Sequence, residues 1–250
     1  MRIISSALFV AAVAASVSSL AAQTGATHMT FNTAPGAYIG TTIASPYKGT
    51  WTGTTISPTS YPGGSIDIFC LDLLDNVGYG QQWDANTQNL GAIVNASILR
   101  WGAESNSLLR YRKAAWMADQ FAGKTAAQQK ELQTAIWRTF TMAKVDNIPE
   151  GTGYGDVSVN YANVTSWLAS ATTFTTTHGA ADAYWDRLVF ISDKAMTGPS
   201  ITSAGLDDWH LQRGTQEFLT ITPVPEPASL ALMATGLLGL GFVARRRRPV

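Results

Sequence analysis

The distribution of apolar residues predicts an α+β fold, mostly a β sandwich or partial barrel with inserted helices, followed by a C-terminal transmembrane helix. Three observations predict it. β-favouring residues scattered among Thr, Ser, Gly and Pro fill the first part of the body, two helix-periodic segments occupy its middle, and short β-branched and aromatic runs return towards its end.

Residues 1–22 have the pattern of a secretory signal peptide. Arg2 supplies the positive start, Ile3 to Val17 the apolar stretch, and Ser19-Leu20-Ala21 a small-x-small cleavage site. The exported domain then spans 23–222. From Gln23 to about Gly64, the residues Tyr38, Ile39, Thr41, Thr42, Ile43, Trp51, Thr54, Thr55 and Ile56 predict short strands, separated by turns at Ser45-Pro46 and Pro62-Gly63-Gly64. Ser65 to Leu74 carries apolar residues on both alternating faces, the pattern of an interior strand, and places Cys70 inside.

A helix follows over Ser107 to Ala122, with Leu108, Tyr111, Ala115, Ala118 and Ala122 along one stripe and Gly123 as its stop. Thr125 and Gln128 form a capping box for a second helix, Ala126 to about Ala143. That helix turns Leu132, Ala135, Ile136, Thr139 and Phe140 inward and holds Gln133 on the flank of this face. Beyond Pro149 the expected order is a strand (Asp156 to Asn160), a helix (Tyr161 to Ala171), a strand holding Leu188 to Ile191, and a last strand from Glu217 to Thr222.

The final segment, 223–250, differs from everything before it. Pro225, Glu226 and Pro227 interrupt regular structure, residues 228–244 carry no charge, and Arg245, Arg246, Arg247 and Arg248 follow. A helix over 228–244 rises about 25 Å, the lower limit for crossing a hydrocarbon core, and the arginines favour the cytoplasmic side. This order closely resembles the PEP-CTERM sorting signal. The resemblance implies that exosortase, a membrane cysteine protease, processes the tail and passes the protein to the cell surface or extracellular matrix of a Gram-negative-type bacterium. The implied partners are therefore signal peptidase, exosortase and, before processing, the membrane itself.

Charge narrows the function of the body. The whole chain is formally neutral, yet between the two ends 12 basic residues face 16 acidic ones, a net charge of −4. Such a body has no basic stripe for nucleic acid. Metal sites and catalytic clusters are also not legible: His28, His178 and His210 are scattered, and Asp67, Asp72 and Asp75 read as strand-edge charges rather than a calcium loop. No nucleophile elbow or triad order is present, so the expectation is a non-enzymatic protein without cofactor or metal.

Cys70 is the single cysteine of a chain addressed to an oxidising compartment, where a leftover thiol needs an explanation. The segment Phe69-Cys70-Leu71-Asp72-Leu73 and the helical Leu132-Gln133-Thr134-Ala135-Ile136-Trp137 resemble the paired signatures of thioester domains in bacterial surface adhesins. This resemblance covers a core of about 65–143. It implies an internal thioester between Cys70 and Gln133 that captures an amine-bearing surface ligand, and hence a role in covalent adhesion within a biofilm matrix. Leu132 stands where the family usually has threonine. The bland alternative is a small buried cysteine and a glutamine bonded to nearby backbone. A noncovalent or purely structural matrix protein that binds exopolysaccharide through aromatic faces is the other reading, with Trp51, Trp83 and Trp209 as its surface candidates and Trp116, Trp137 and Trp167 as core.

Overall fold

A computed structural model describes residues 25–39, 42–53, 64–73, 77–92, 96–103, 106–146, 159–196 and 214–222. The signal peptide, the sorting tail with its predicted membrane helix, Asp75, Trp209, His210 and positions 156–158 of a predicted strand lie outside the described residues. No helix among the described residues is long and apolar enough to cross a membrane.

Six antiparallel strands close into a barrel. They are β1 (Gly25–Thr33), β4 (Tyr47–Gly53), β5 (Gly64–Cys70), β6 (Gln82–Asn89), β7 (Leu188–Asp193) and β8 (Phe218–Ile221), and a small hairpin of β2 (Tyr38–Ile39) and β3 (Thr42–Ile43) lies apart from the barrel sheet. The order around the barrel is β1-β4-β5-β8-β7-β6, with β6 returning to β1. Of the two architectures the sequence left open, a sandwich is therefore replaced by a closed barrel. Closure pairs every barrel strand on both sides, so the barrel sheet has no free edge among the described residues.

Register explains how the interior is filled. Met29 lies opposite both Trp51 and Trp83, Ile68 opposite Tyr47 and Thr220, and Cys70 opposite Phe218. Because opposed residues share a face, these side chains point to one side of the wall. Trp83 and Phe218 rings approach to 5.8 Å across the interior. Trp51 and Trp83 are only 1% and 6% exposed, so neither is a surface platform for sugar. Burying a large apolar side chain contributes roughly 1.5–3 kcal/mol, and a small barrel needs bulky residues at its centre.

The opposite face of the same strands is apolar where helices cover it. Phe69, Leu219 and Phe190 are neighbours across β5, β8 and β7. Phe121 packs edge-on to Phe69 at 5.2 Å, and Tyr111 to Phe190 at 4.8 Å. Three mutually packed helices provide that cover: α1 (Ser107–Asp119), α2 (Ala126–Asp146) and α3 (Tyr161–Thr177). Gly123 takes a left-handed φ of 71° after α1, as its predicted stop requires. The capping box is formed, with Thr125 N donating to Gln128 Oε1 and Gln128 N to Thr125 Oγ1.

Several expected elements differ. Ala122 and Leu108 lie off the fully buried face of α1, whose core side is Tyr111, Ala114, Ala115, Met117 and Ala118. Asn160 is the N-cap of α3 rather than the end of a strand, its side chain accepting from Ala162 N. That helix runs six residues past Ala171 through a threonine-rich stretch, where Thr172, Thr173, Thr175, Thr176 and Thr177 each donate to the carbonyl four residues back.

Candidate functional site

At the end of β5 the chain brings Cys70 beside Gln133, a residue 63 positions away. Both are fully buried. Strand β5 delivers Cys70 because Ile66, Ile68 and Cys70 alternate inward while Ser65 and Asp67 alternate outward. Helix α2 delivers Gln133 from an uninterrupted buried segment, Glu131 to Trp137, so the glutamine lies in the interior and not on a flank.

The Gln133 carboxamide is held at both ends. Its Nε2 donates to the Cys70 carbonyl at 2.8 Å, and its Oε1 accepts from Ser45 N at 3.0 Å. Ser45 also fixes the cysteine, since its Oγ accepts from Cys70 N at 2.8 Å. Around the sulfur, Trp137 Nε1 donates to Sγ at 3.4 Å and the thiol donates to the Asp72 carbonyl at 3.0 Å. Gln133 and Trp137 are one helical turn apart on α2, and so reach the same spot together.

Burial pushes the Cys70 thiol up from its ordinary 9.0 to about 12, against the smaller, lowering effect of the Trp137 hydrogen bond. Tyr47, whose hydroxyl donates to Ile43 O, is also raised well above its ordinary value, first by desolvation and then by its nearness to Cys70. Both groups therefore carry their protons at neutral pH.

Beneath this pair runs a buried polar network that sequence reasoning did not find. Asp72 Oδ2 meets Arg100 Nη1 at 2.5 Å with both side chains out of solvent, which corrects the reading of Asp72 as a strand-edge charge. Gln216 Nε2 donates to the Asp72 carbonyl at 2.6 Å, the same carbonyl that accepts from the thiol. Glu217 is fully buried, and accepts from Arg100 N at 3.0 Å, Tyr111 Oη at 2.7 Å and Ser192 Oγ at 2.7 Å. Desolvation raises its pKa, and these donors oppose the rise. Asp72 lies just past the end of β5. Arg100 and Glu217 carry no local pattern, since each acts through partners distant in the chain.

A cleft of about 200 Å³ has Phe31, Ala34, Ile43, Tyr47, Tyr79 and Gln216 among its lining residues. Phe31 stands edge-on to Tyr47 at 5.5 Å and stacks with Tyr79 at 5.7 Å. One lining residue, Gln216, donates to the Asp72 carbonyl that accepts from the thiol, and another, Tyr47, stands edge-on to Phe218, which lies opposite Cys70 across the strands.

Among the other candidates, His28 is an exposed residue between Asp84 and Gln82, and His178 stacks on Phe174 at 3.7 Å. Asp67 pairs with Lys48 at the surface. No group of three potential metal ligands occurs among the described residues.

Comparison with known proteins identifies the tail. Residues 223–248 match the PEP-CTERM protein-sorting motif. No curated protein and no solved structure matches the chain. The motif contains Pro225, Glu226, Pro227 and the four arginines, and makes the chain an exosortase-sorted extracellular protein with a membrane-anchored precursor. It does not extend to the barrel, so the thioester-domain resemblance rests on the Cys70 and Gln133 segments alone.

Proposed function

We propose that the exported domain is a covalent adhesin of the cell surface or extracellular matrix, armed by an internal thioester between Cys70 and Gln133. The observation that carries this reading is the two-ended grip on the Gln133 carboxamide against the cysteine that would attack it.

Formation of the bond follows from that grip. Cys70 Sγ adds to Gln133 Cδ as the thiol loses its proton, and negative charge gathers on Oε1, where Ser45 N–H already donates. The C–N bond then breaks, and ammonia leaves with the proton the thiol gave up. An amide resists attack in water. Two buried groups fixed side by side replace collision with an effective molarity that reaches about 10⁵ M or more in well-aligned systems. The product has no titratable sulfur, and so removes the problem of a free thiol in an oxidising compartment.

Each thioester reacts once, with an amine-bearing surface ligand, so the chemistry is single-use attachment rather than enzymatic turnover. Exosortase sorting supports this role by delivering the domain where such ligands are displayed.

Incubation of the exported protein with a fluorescent primary amine, followed by denaturing electrophoresis, tests the proposal. Label is expected on the wild type and absent from Cys70→Ala and Gln133→Ala. Equal labelling of the wild type and both variants would refute it. One observation favours the rival reading, a noncovalent or structural matrix protein: both ends of the Gln133 carboxamide are satisfied without any reaction. That reading expects no label in any of the three.

A further inference from the structure

We propose that the aromatic cleft between Phe31, Tyr47 and Tyr79 is the port through which an acceptor amine reaches the Cys70–Gln133 bond, and that it selects an alkyl amine over one bearing a carboxylate. The proposal rests on the thioester reading and adds the route and the selectivity.

Cys70 and Gln133 are sealed from solvent, so an acceptor needs a way in. Two lining residues lead from the cleft towards the sulfur: Gln216 donates to the Asp72 carbonyl that accepts from the thiol, and Tyr47 stands edge-on to Phe218, the cross-strand partner of Cys70. Tyr47 Oη is also tied to Ile43 O at 2.5 Å, and Ile43 lines the opposite wall. Displacing this tyrosine from Ile43 would open the cleft onto Sγ without unpairing a strand. At the rim, Tyr79 is 67% exposed and offers its ring to an arriving chain.

The lining determines what can use such a port. Among the described residues it contains no carboxylate and no basic side chain. An ammonium entering it loses hydration with no anion to hold its charge, which favours the neutral, nucleophilic amine. An alkyl stem packs on the aromatic walls. A carboxylate carried beside the amine would be buried without a partner, at a cost of several kcal/mol.

In the transfer, the amine nitrogen adds to the thioester carbonyl, the C–S bond breaks, and the amine's proton passes to sulfur. The products are an N-alkylated Gln133 amide and the Cys70 thiol. Trp137 Nε1–H, which donates to Sγ, stabilises the departing sulfur.

The experiment follows the intact mass of the exported protein with n-butylamine or glycine as the probe. Wild type is expected to begin one ammonia light, then gain butylamine at least about tenfold faster than glycine. Ala34→Trp, which fills the cleft, is expected to remain one ammonia light yet gain butylamine at least about tenfold more slowly. Tyr79→Ala removes the largely exposed ring that stacks on Phe31 and is expected to narrow the preference, a second measure should Ala34→Trp misfold. A closed thioester that takes both amines equally fast, or reacts unchanged in Ala34→Trp, overturns the port and leaves the thioester standing. A wild type with no ammonia loss overturns both.

Discussion

At Cys70 the proposed thioester meets two conflicting demands, because the burial that brings the residue beside Gln133 also holds its thiol protonated. A thiol displaced to about 12 supplies a thiolate fraction that grows tenfold per pH unit below that value. Thioester closure in refolded protein should therefore accelerate about tenfold per unit from neutral to alkaline pH. Mass spectra of quenched samples check this, and a pH-independent rate would contradict it. Trp137→Phe removes the donor that opposes the upward shift and should slow closure with the helix intact. The linkage has its own signature in Gln133→Ala, where the thiol stays free. Its folded pKa is raised, so the stability it contributes is complete below 9.0 and is lost as pH climbs towards 12. Denaturation midpoints should show Gln133→Ala losing roughly 1.4 kcal/mol per pH unit more than the closed wild type above pH 9.0.

Elements that announced themselves locally were the legible ones. Helix α2 carried its own cap in Thr125 and Gln128, and Thr125→Ala should cost about 1 kcal/mol in chemical denaturation. Strand β5 was readable from its apolar run, and Cys70 was correctly placed inside, but the strand ends at Cys70 rather than Leu74 and turns Ser65 and Asp67 to solvent rather than burying both faces along its whole length. Strand β6 was not: Gln-Trp-Asp-Ala-Asn-Thr-Gln-Asn has little β propensity, and it is extended because β1 and β7 pair with it on both sides. Trp51 and Trp83 were misjudged for a related reason, since only barrel closure creates the interior they fill. The Asp72–Arg100 pair was invisible because its members lie far apart in the chain and meet only in the folded structure. Removal of one member should be severe: Asp72→Ala takes the carboxylate away from a buried guanidinium and should cost about 3–5 kcal/mol by denaturant melting, far more than the cap.

The whole molecule joins a sorting tail to a closed barrel whose helices hold a glutamine over a buried cysteine. The address was plain in the sequence because the proline break, the uncharged run and the arginine cluster act in chain order, without needing a fold. The candidate site was half legible. Cys70 and Gln133 stood out as a spaced pair, whereas Ser45, which holds both, looked like an ordinary turn residue. Closure of the sheet orders these parts, since β5 is fixed between β4 and β8 and carries Cys70 to the place that α2 covers. The most direct measurement is the intact mass of the mature exported protein, read together with thiol alkylation after denaturation. The account predicts a mass one ammonia below that of the processed chain and no alkylated cysteine. A full mass with quantitative alkylation of Cys70 would contradict it.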